Sequence, residues 1–146
     1  MQRRDFVKQL GFGSIIAAVG SVVGMFARFL TPNVATPKAG PVEIGMPEEY
    51  VIGTLTYVEA ALAYIGRDQR GFYALAAICT HLGCTPRLEE KQFVCPCHGS
   101  RFDLNGDVLA GPAKRPLDRI MVGLAASGKL FIDRSRIAAA DSRFSA

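Results

Sequence analysis

Tryptophan is absent from this 146-residue chain, aromatic residues make up 9%, and histidine occurs only twice. No run of five or more basic residues appears, although 17 Lys and Arg outnumber 13 Asp and Glu and give a net charge of +4. Nucleic-acid binding calls for a basic stripe interleaved with aromatics, so nucleic acid is excluded as a partner. Charged residues total 21% against 49% apolar, which excludes a disordered polar chain. The length excludes a multi-domain enzyme. What is there is concentrated. Cys79, Cys84, Cys95 and Cys97, all four cysteines, share one window of 20 residues with both histidines, His81 and His98.

The amino terminus reads as a targeting and membrane segment over residues 1–30. Arg3-Arg4-Asp5-Phe6-Val7-Lys8 resembles a twin-arginine export signal, a patch read by a receptor. No charge occurs from 11 to 27, and at about 1.5 Å per residue the apolar stretch 10–30 spans roughly 31 Å, enough for a bilayer core. Arg28 lies where it can snorkel to headgroups. The stretch is longer than a signal-peptide core, and 31–37 offers no small-x-small cleavage site. The expectation is an uncleaved single-pass anchor in the cytoplasmic (inner) membrane of a prokaryote. Arg3, Arg4 and Lys8 place the amino terminus in the cytoplasm, and the remainder lies on the periplasmic or outer side. Gly20 and Gly24 form a small-xxx-small pair suited to a neighbouring membrane helix.

Residues 31–41 hold Pro32, Pro37 and Pro41 without apolar periodicity. They read as a linker that lets an outer domain move. Beyond it the pattern changes to short strands with turn signals, expected at 42–44, 50–54, 60–67, 71–78, 86–88, 92–95, 101–104, 107–110, 119–124 and 130–133. Asn105-Gly106 signals a two-residue hairpin. A helical period is visible only over 136–141, and 134–146 reads as a tail without chemistry. The expected fold is all-β, a small antiparallel sandwich or barrel over 42–133 preceded by one transmembrane helix. So small a core is expected to need a metal or disulfide staple.

The chemistry lies in two boxes, Cys79-Thr80-His81-Leu82-Gly83-Cys84 and Cys95-Pro96-Cys97-His98-Gly99-Ser100. A tetrahedral Cys₂His₂ zinc site is one reading, although it departs from the usual zinc spacing and leaves two cysteines without a role. The spacing C-x-H-x₂-C with C-x-C-H also closely resembles the Rieske iron–sulfur proteins of quinol–cytochrome oxidoreductases, and the resemblance runs over about residues 1–133. It implies one [2Fe–2S] cluster with Cys79 and Cys95 on one iron and His81 and His98 on the other. It further implies a Cys84–Cys97 disulfide, which fits the outer side of a membrane. With two neutral imidazoles the oxidised site is about neutral, where four thiolates would leave it negative, so it accepts an electron more readily. Potentials then run from about −150 to +300 mV, against about −400 mV for plant-type ferredoxins.

By the same resemblance His98 contacts quinol and accepts its proton, and His81 shares that catalytic edge. Leu82 is the apolar tip that enters the quinol pocket. Ser100 donates to a cluster sulfide, and Gly111-Pro112-Ala113 matches a loop that covers the cluster's other side, with Pro112 in contact. Lys114 replaces a proline frequent in that loop. Gly83 and Gly99 are expected to relieve backbone crowding so that amides face the sulfides. Where high-potential members carry a tyrosine hydroxyl this chain has Phe102, which implies a medium potential and a menaquinol pool. The implied partners are a cytochrome b subunit, a c-type cytochrome acceptor, quinol and the lipid membrane. The alternative is a Rieske relay subunit of a periplasmic molybdenum oxidoreductase such as arsenite oxidase. Cys84 and Cys97 argue against a soluble ferredoxin or oxygenase domain, which usually lacks them.

Overall fold

The computed structural model describes residues 2–31 and 40–146. The chain divides into two units, Met1–Thr36 and Pro37–Ala146. Most of the expected 31–41 linker, residues 32–39, lies outside the described residues.

In the first unit, helix α1 (Arg3–Leu30) runs for 28 residues, about 42 Å at 1.5 Å per residue. It starts seven positions before the expected span, so Arg3, Arg4 and Lys8 are helical. Its best 18-residue window has a mean hydropathy of 2.0, long and apolar enough to cross a membrane. Ser14 and Ser21 donate their hydroxyls back to the carbonyls of Leu10 and Ala17, at 2.9 and 2.8 Å. Their polarity is thus satisfied within the helix, as a hydrocarbon surrounding requires.

The second unit is built of two antiparallel sheets. The larger has six strands in the order β1-β10-β9-β4-β3-β2, from β1 (Pro41–Glu43), β2 (Leu55–Val58), β3 (Ala63–Asp68), β4 (Gly71–Ala76), β9 (Arg119–Leu124) and β10 (Leu130–Ile137). The smaller has four, β5 (Arg87–Glu89), β6 (Gln92–Val94), β7 (Arg101–Phe102) and β8 (Val108–Ala110), paired in sequence order. The fold is thus mostly β, as expected.

Strands β3 and β4 are apolar on both faces because they serve two cores. With period two, Ala63, Ile65, Phe72, Ala74 and Ala76 turn to one core with Ile120, Leu130 and Ile132. Tyr64 and Leu75 turn to the other, with Phe93, Phe102 and Leu117. The same alternation carries on past the strands. Leu75, Ala77 and Cys79 share the second core, as do Phe93 and Cys95. Strand periodicity thus carries each buried cysteine to one face of its own strand, and the shared core brings the two together.

Several expected boundaries move. Residues 50–54 are not a strand: a 3₁₀ turn spans Pro47–Glu49, and the strand begins at Leu55. A turn over Val51–Thr54 explains the difference: the N–H and Oγ1 of Thr54 donate to Val51 O at 3.3 and 2.8 Å, with Gly53 left-handed at φ +86°, while Arg67 Nη1 donates to the carbonyls of Pro47 and Tyr50 at 3.2 and 3.0 Å. The expected 60–67 strand is broken by a 3₁₀ turn at Glu59–Ala61, with Leu62 left-handed at φ 44°. The hairpin at Asn105-Gly106 has a three-residue loop, not two. Asp103 and Asp107 close it by a backbone bond of 2.9 Å, and Asp103 Oδ1 accepts from the N–H groups of Asn105 and Asp107, both at 2.8 Å. The expected break at 133/134 falls inside β10, which continues to Ile137, and 136–141 is not helical. The last residues fold back: Phe144 and Phe72 exchange backbone bonds of 2.8 Å, and Arg143 Nε donates to Asp68 at 2.6 Å.

Candidate metal centre

The two boxes fold into loops of one design. In the first, Cys79 N–H donates to Cys84 O (2.7 Å) and Gly83 N–H to Cys79 O (2.9 Å). In the second, Cys95 N–H donates to Ser100 O (2.8 Å) and Gly99 N–H to Cys95 O (3.0 Å). Both turns need a left-handed residue at the fifth position, and Gly83 (φ +83°) and Gly99 (φ +71°) provide it. A Cβ at either would meet no protein atom within 4 Å, so it is the left-handed φ that the protein itself asks of glycine there.

This geometry brings together nearly every residue singled out above. Cys79 and Cys95 are free and buried. Burial pushes the Cys95 thiol pKa up, and the Cys79 thiol beside it adds to the rise. Cys84 and Cys97 form a disulfide that ties the loops, with Cα atoms 6.5 Å apart. The sulfurs of Cys84, Cys95 and Cys97 lie within 4.8 Å of one another, but a disulfide has no thiolate to offer a metal, so only Cys95 of the three is a donor. The rings of His81 and His98 meet edge to face with centroids 4.8 Å apart. Leu82 stands between them in sequence and is 70% exposed.

One atom tests whether a metal group fits. His81 Nδ1 is buried and has no hydrogen-bond partner, an expensive state unless a ligand takes it. With two adjacent buried thiols and a second imidazole, the donors suit a cluster held by two sulfurs and two nitrogens. They also suit tetrahedral zinc, and the family match below separates the two.

A third segment backs the loops. Ser100 is fully buried, and its Oγ accepts the N–H of Ala113 at 3.2 Å, leaving the hydroxyl proton free to donate. Gly111 has φ +93°, and a Cβ there would sit 2.5 Å from Ser100 Cα and 2.9 Å from Gly99 O. Pro112, between Gly111 and Ala113, is half-buried. Phe102 is fully buried, paired with Phe93 across β6 and β7, in the same core as the two free cysteines.

Two contributors were not singled out from the sequence. Thr80 Oγ1 donates to Arg115 O at 2.6 Å, fastening the first box to the third segment; a hydroxyl inside the box was the available signal. Tyr64 OH donates to Pro86 O at 3.1 Å and accepts the N–H of Leu88 at 3.2 Å. It fixes the chain leaving Cys84, and its partners lie too far along the sequence to leave a signal.

The Rieske [2Fe-2S] domain family matches residues 43–122. The chain is 34% identical over 132 residues to the cytochrome b6-f complex iron-sulfur subunit of Synechococcus sp. (strain CC9605), covering 77% of this chain and 74% of that protein. It is 32% identical over 144 residues to the subunit of the same name from Prochlorococcus marinus (strain MIT 9303), covering 86% and 80%. Among solved structures, the cyanobacterial plasma membrane Rieske protein PetC3 from Synechocystis PCC 6803 is 26% identical with a TM-score of 0.38, covering 55% of this chain and 98% of that one.

Proposed function

The chain belongs to the Rieske [2Fe-2S] family, and on that premise we propose that it is the iron–sulfur subunit of a bc-type or b6-f-type membrane complex, taking an electron and a proton from quinol and passing the electron to a c-type cytochrome. One observation carries the reading. Two loops of the same hydrogen-bonded design present two buried thiols and two touching imidazoles under an exposed leucine.

Cys79 and Cys95 would hold one iron of the cluster, and His81, through Nδ1, and His98 the other. When bound, the cluster supplies one-electron chemistry, at a potential lifted by neutral imidazoles in place of thiolates. His98 is solvent-exposed, so its outer ring nitrogen can accept the quinol proton while the inner one ligates. Leu82 offers an apolar tip that enters the quinol pocket and keeps water from that proton. The Cys84–Cys97 bridge holds the two loops at a fixed separation, so the imidazoles stay in register.

Phe102 supports menaquinol as the donor. It brings no hydroxyl to the buried face, and the hydroxyl of nearby Tyr64 is spent on Pro86 and Leu88. A missing donor leaves the reduced, more negative site less stabilised, so the potential is lower. Helix α1 is proposed as the uncleaved anchor, with Arg3, Arg4 and Lys8 on the cytoplasmic side and the second unit outside. Export by the twin-arginine route fits a domain folded around its cluster before translocation.

The test is isolation of the complex from native membranes in mild detergent. The expected result is a b-type haem in the same particle and cytochrome c reduction faster with menaquinol analogues than with ubiquinol analogues. His98→Gln should abolish that activity. Co-isolation with a molybdenum oxidoreductase and no b-type haem would instead establish the relay role. A colourless protein without a paramagnetic signal on reduction would mean zinc.

A further inference from the structure

We propose that the outward face of the smaller sheet docks an acidic surface of the c-type cytochrome, an inference that rests on the acceptor proposed above. Arg87, Val94, Arg101 and Ala110 stand in register across β5, β6, β7 and β8. Residues in register point to one side of a sheet, and the neighbours Leu88, Phe93 and Phe102 turn to the buried side. The row therefore faces outward, and Arg87 and Arg101 are both exposed. Strands two apart set them about 10 Å from one another, with the half-buried Val94 between them. This is also the rung nearest the metal centre, since Cys95 follows Val94, Ser100 precedes Arg101 and Gly111 follows Ala110.

Both guanidiniums are free to take a partner. Among the described residues no carboxylate lies within 4.0 Å of either, whereas Arg70, Arg115 and Arg143 each have one. Asp103, just beyond β7, is engaged by its own loop, where Oδ1 accepts from the N–H groups of Asn105 and Asp107. The far end of the face is negative: Glu89 lies in register with Gln92, at the turn that also holds Glu90. The face is thus polarised, drawing an acidic surface to the cluster end and repelling it from the other. Arg87 also lines an open cavity of about 590 Å³ with Tyr57, Pro86, Pro96 and Cys97, and Tyr57 is 40% exposed. Arginine and tyrosine dominate binding energy at protein interfaces. Here the guanidinium forks would take carboxylates while the cavity seats an apolar side chain. A haem protein held this way stands against the strand that leads directly to Cys95.

The test uses the full chain carrying its cluster, reduced with dithionite, freed of excess reductant and held in phosphatidylcholine vesicles. The probes are two soluble ferric c-type cytochromes, one of net negative and one of net positive charge. One electron passes from each reduced cluster to one ferric haem, leaving an oxidised cluster and a ferrous haem. The second-order rate with the acidic cytochrome should fall about tenfold from low to high ionic strength, and the rate with the basic one should not fall. Replacing both residues (Arg87→Gln with Arg101→Gln) should lower the low-salt rate with the acidic cytochrome about fivefold and leave the high-salt rate unchanged. Arg136→Gln removes an exposed charge from β10 of the larger sheet and should change the rate less than about twofold. If the double variant does not load its cluster, Arg87→Gln and Arg101→Gln are read singly, each with a loss of about twofold. A deficit that persists at high salt would mean an altered cluster, and an equal loss in Arg136→Gln would mean net charge alone; either overturns the proposal. A deficit confined to phosphatidylglycerol vesicles would assign the face to lipid headgroups and overturn it as well. No step here needs quinol or a b-type haem, so failure of docking and failure of the quinol reading are told apart.

Discussion

Replacing both Cys84 and Cys97 by alanine tests how the two loops are held. The bridge joins positions 13 apart in sequence. Closing a loop of that length removes about 3 kcal/mol of conformational freedom from the unfolded chain. For a unit of the size of Pro37–Ala146, the unfolding entropy is about 0.23 kcal/mol per kelvin, so that loss lowers the thermal midpoint by roughly 13 °C. The backbone bonds within each loop do not depend on the bridge, because Cys79–Cys84 and Cys95–Ser100 are closed separately. The double variant should therefore still load its cluster. Far-ultraviolet circular dichroism would give the midpoint of the β unit, and visible dichroism would follow the cluster in the same melt. A midpoint within about 3 °C of the unaltered protein would refute the reasoning, because it would mean the unfolded chain gains little freedom when the bridge is lost.

Three further outcomes are expected. Phe102→Tyr, placing a donor in the same buried core as Cys79 and Cys95, should raise the reduction potential by tens of millivolts, since about 1.4 kcal/mol in favour of the reduced state is 59 mV for one electron; a potentiometric titration giving an unchanged or lower value, with the cluster spectrum intact, would count against the donor argument. Gly111→Ala should loosen the third segment, because its Cβ would fall 2.5 Å from Ser100 Cα at a left-handed φ, and the cluster should bleach faster in air than in the unaltered protein. At Asp68, burial raises the carboxyl pKa, but the bond from Arg143, the Arg70 N–H and both positive charges outweigh it and hold the pKa below its ordinary value. Its stabilising share is therefore complete above the unfolded pKa of about 3.9 and is lost as pH falls through the lower folded value, so the stability gap between the unaltered protein and Asp68→Asn should be constant from pH 7 to 5 and close below about pH 4.

The sequence was most legible where chemistry and spacing coincide. Both boxes could be read because ligand types fall at fixed intervals within one window. The strands could be located because alternation of apolar residues survives in a short stretch such as Ala63–Asp68. Loop closure was harder. The turn at Gly83 and Gly99 depends on a left-handed φ, and the sequence shows only that glycine is present. Residues 50–54 have the composition of a strand, yet Thr54 closes a turn onto Val51 through a left-handed Gly53.

By itself, then, the sequence located the two Cys/His boxes, the apolar helix and a β unit, since each follows from residue type and local period. Tertiary structure alone decided that β3 and β4 serve two cores, and that the faces of β4 and β6 leading to Cys79 and Cys95 share one of them. It also decided that His81 Nδ1 is left without a partner, that Tyr64 and Thr80 brace the loops, and that the last residues close over Phe72. The physical reason is the same in each case. Burial and hydrogen-bond partnership are set by groups distant along the chain, and no local pattern records which of them will meet.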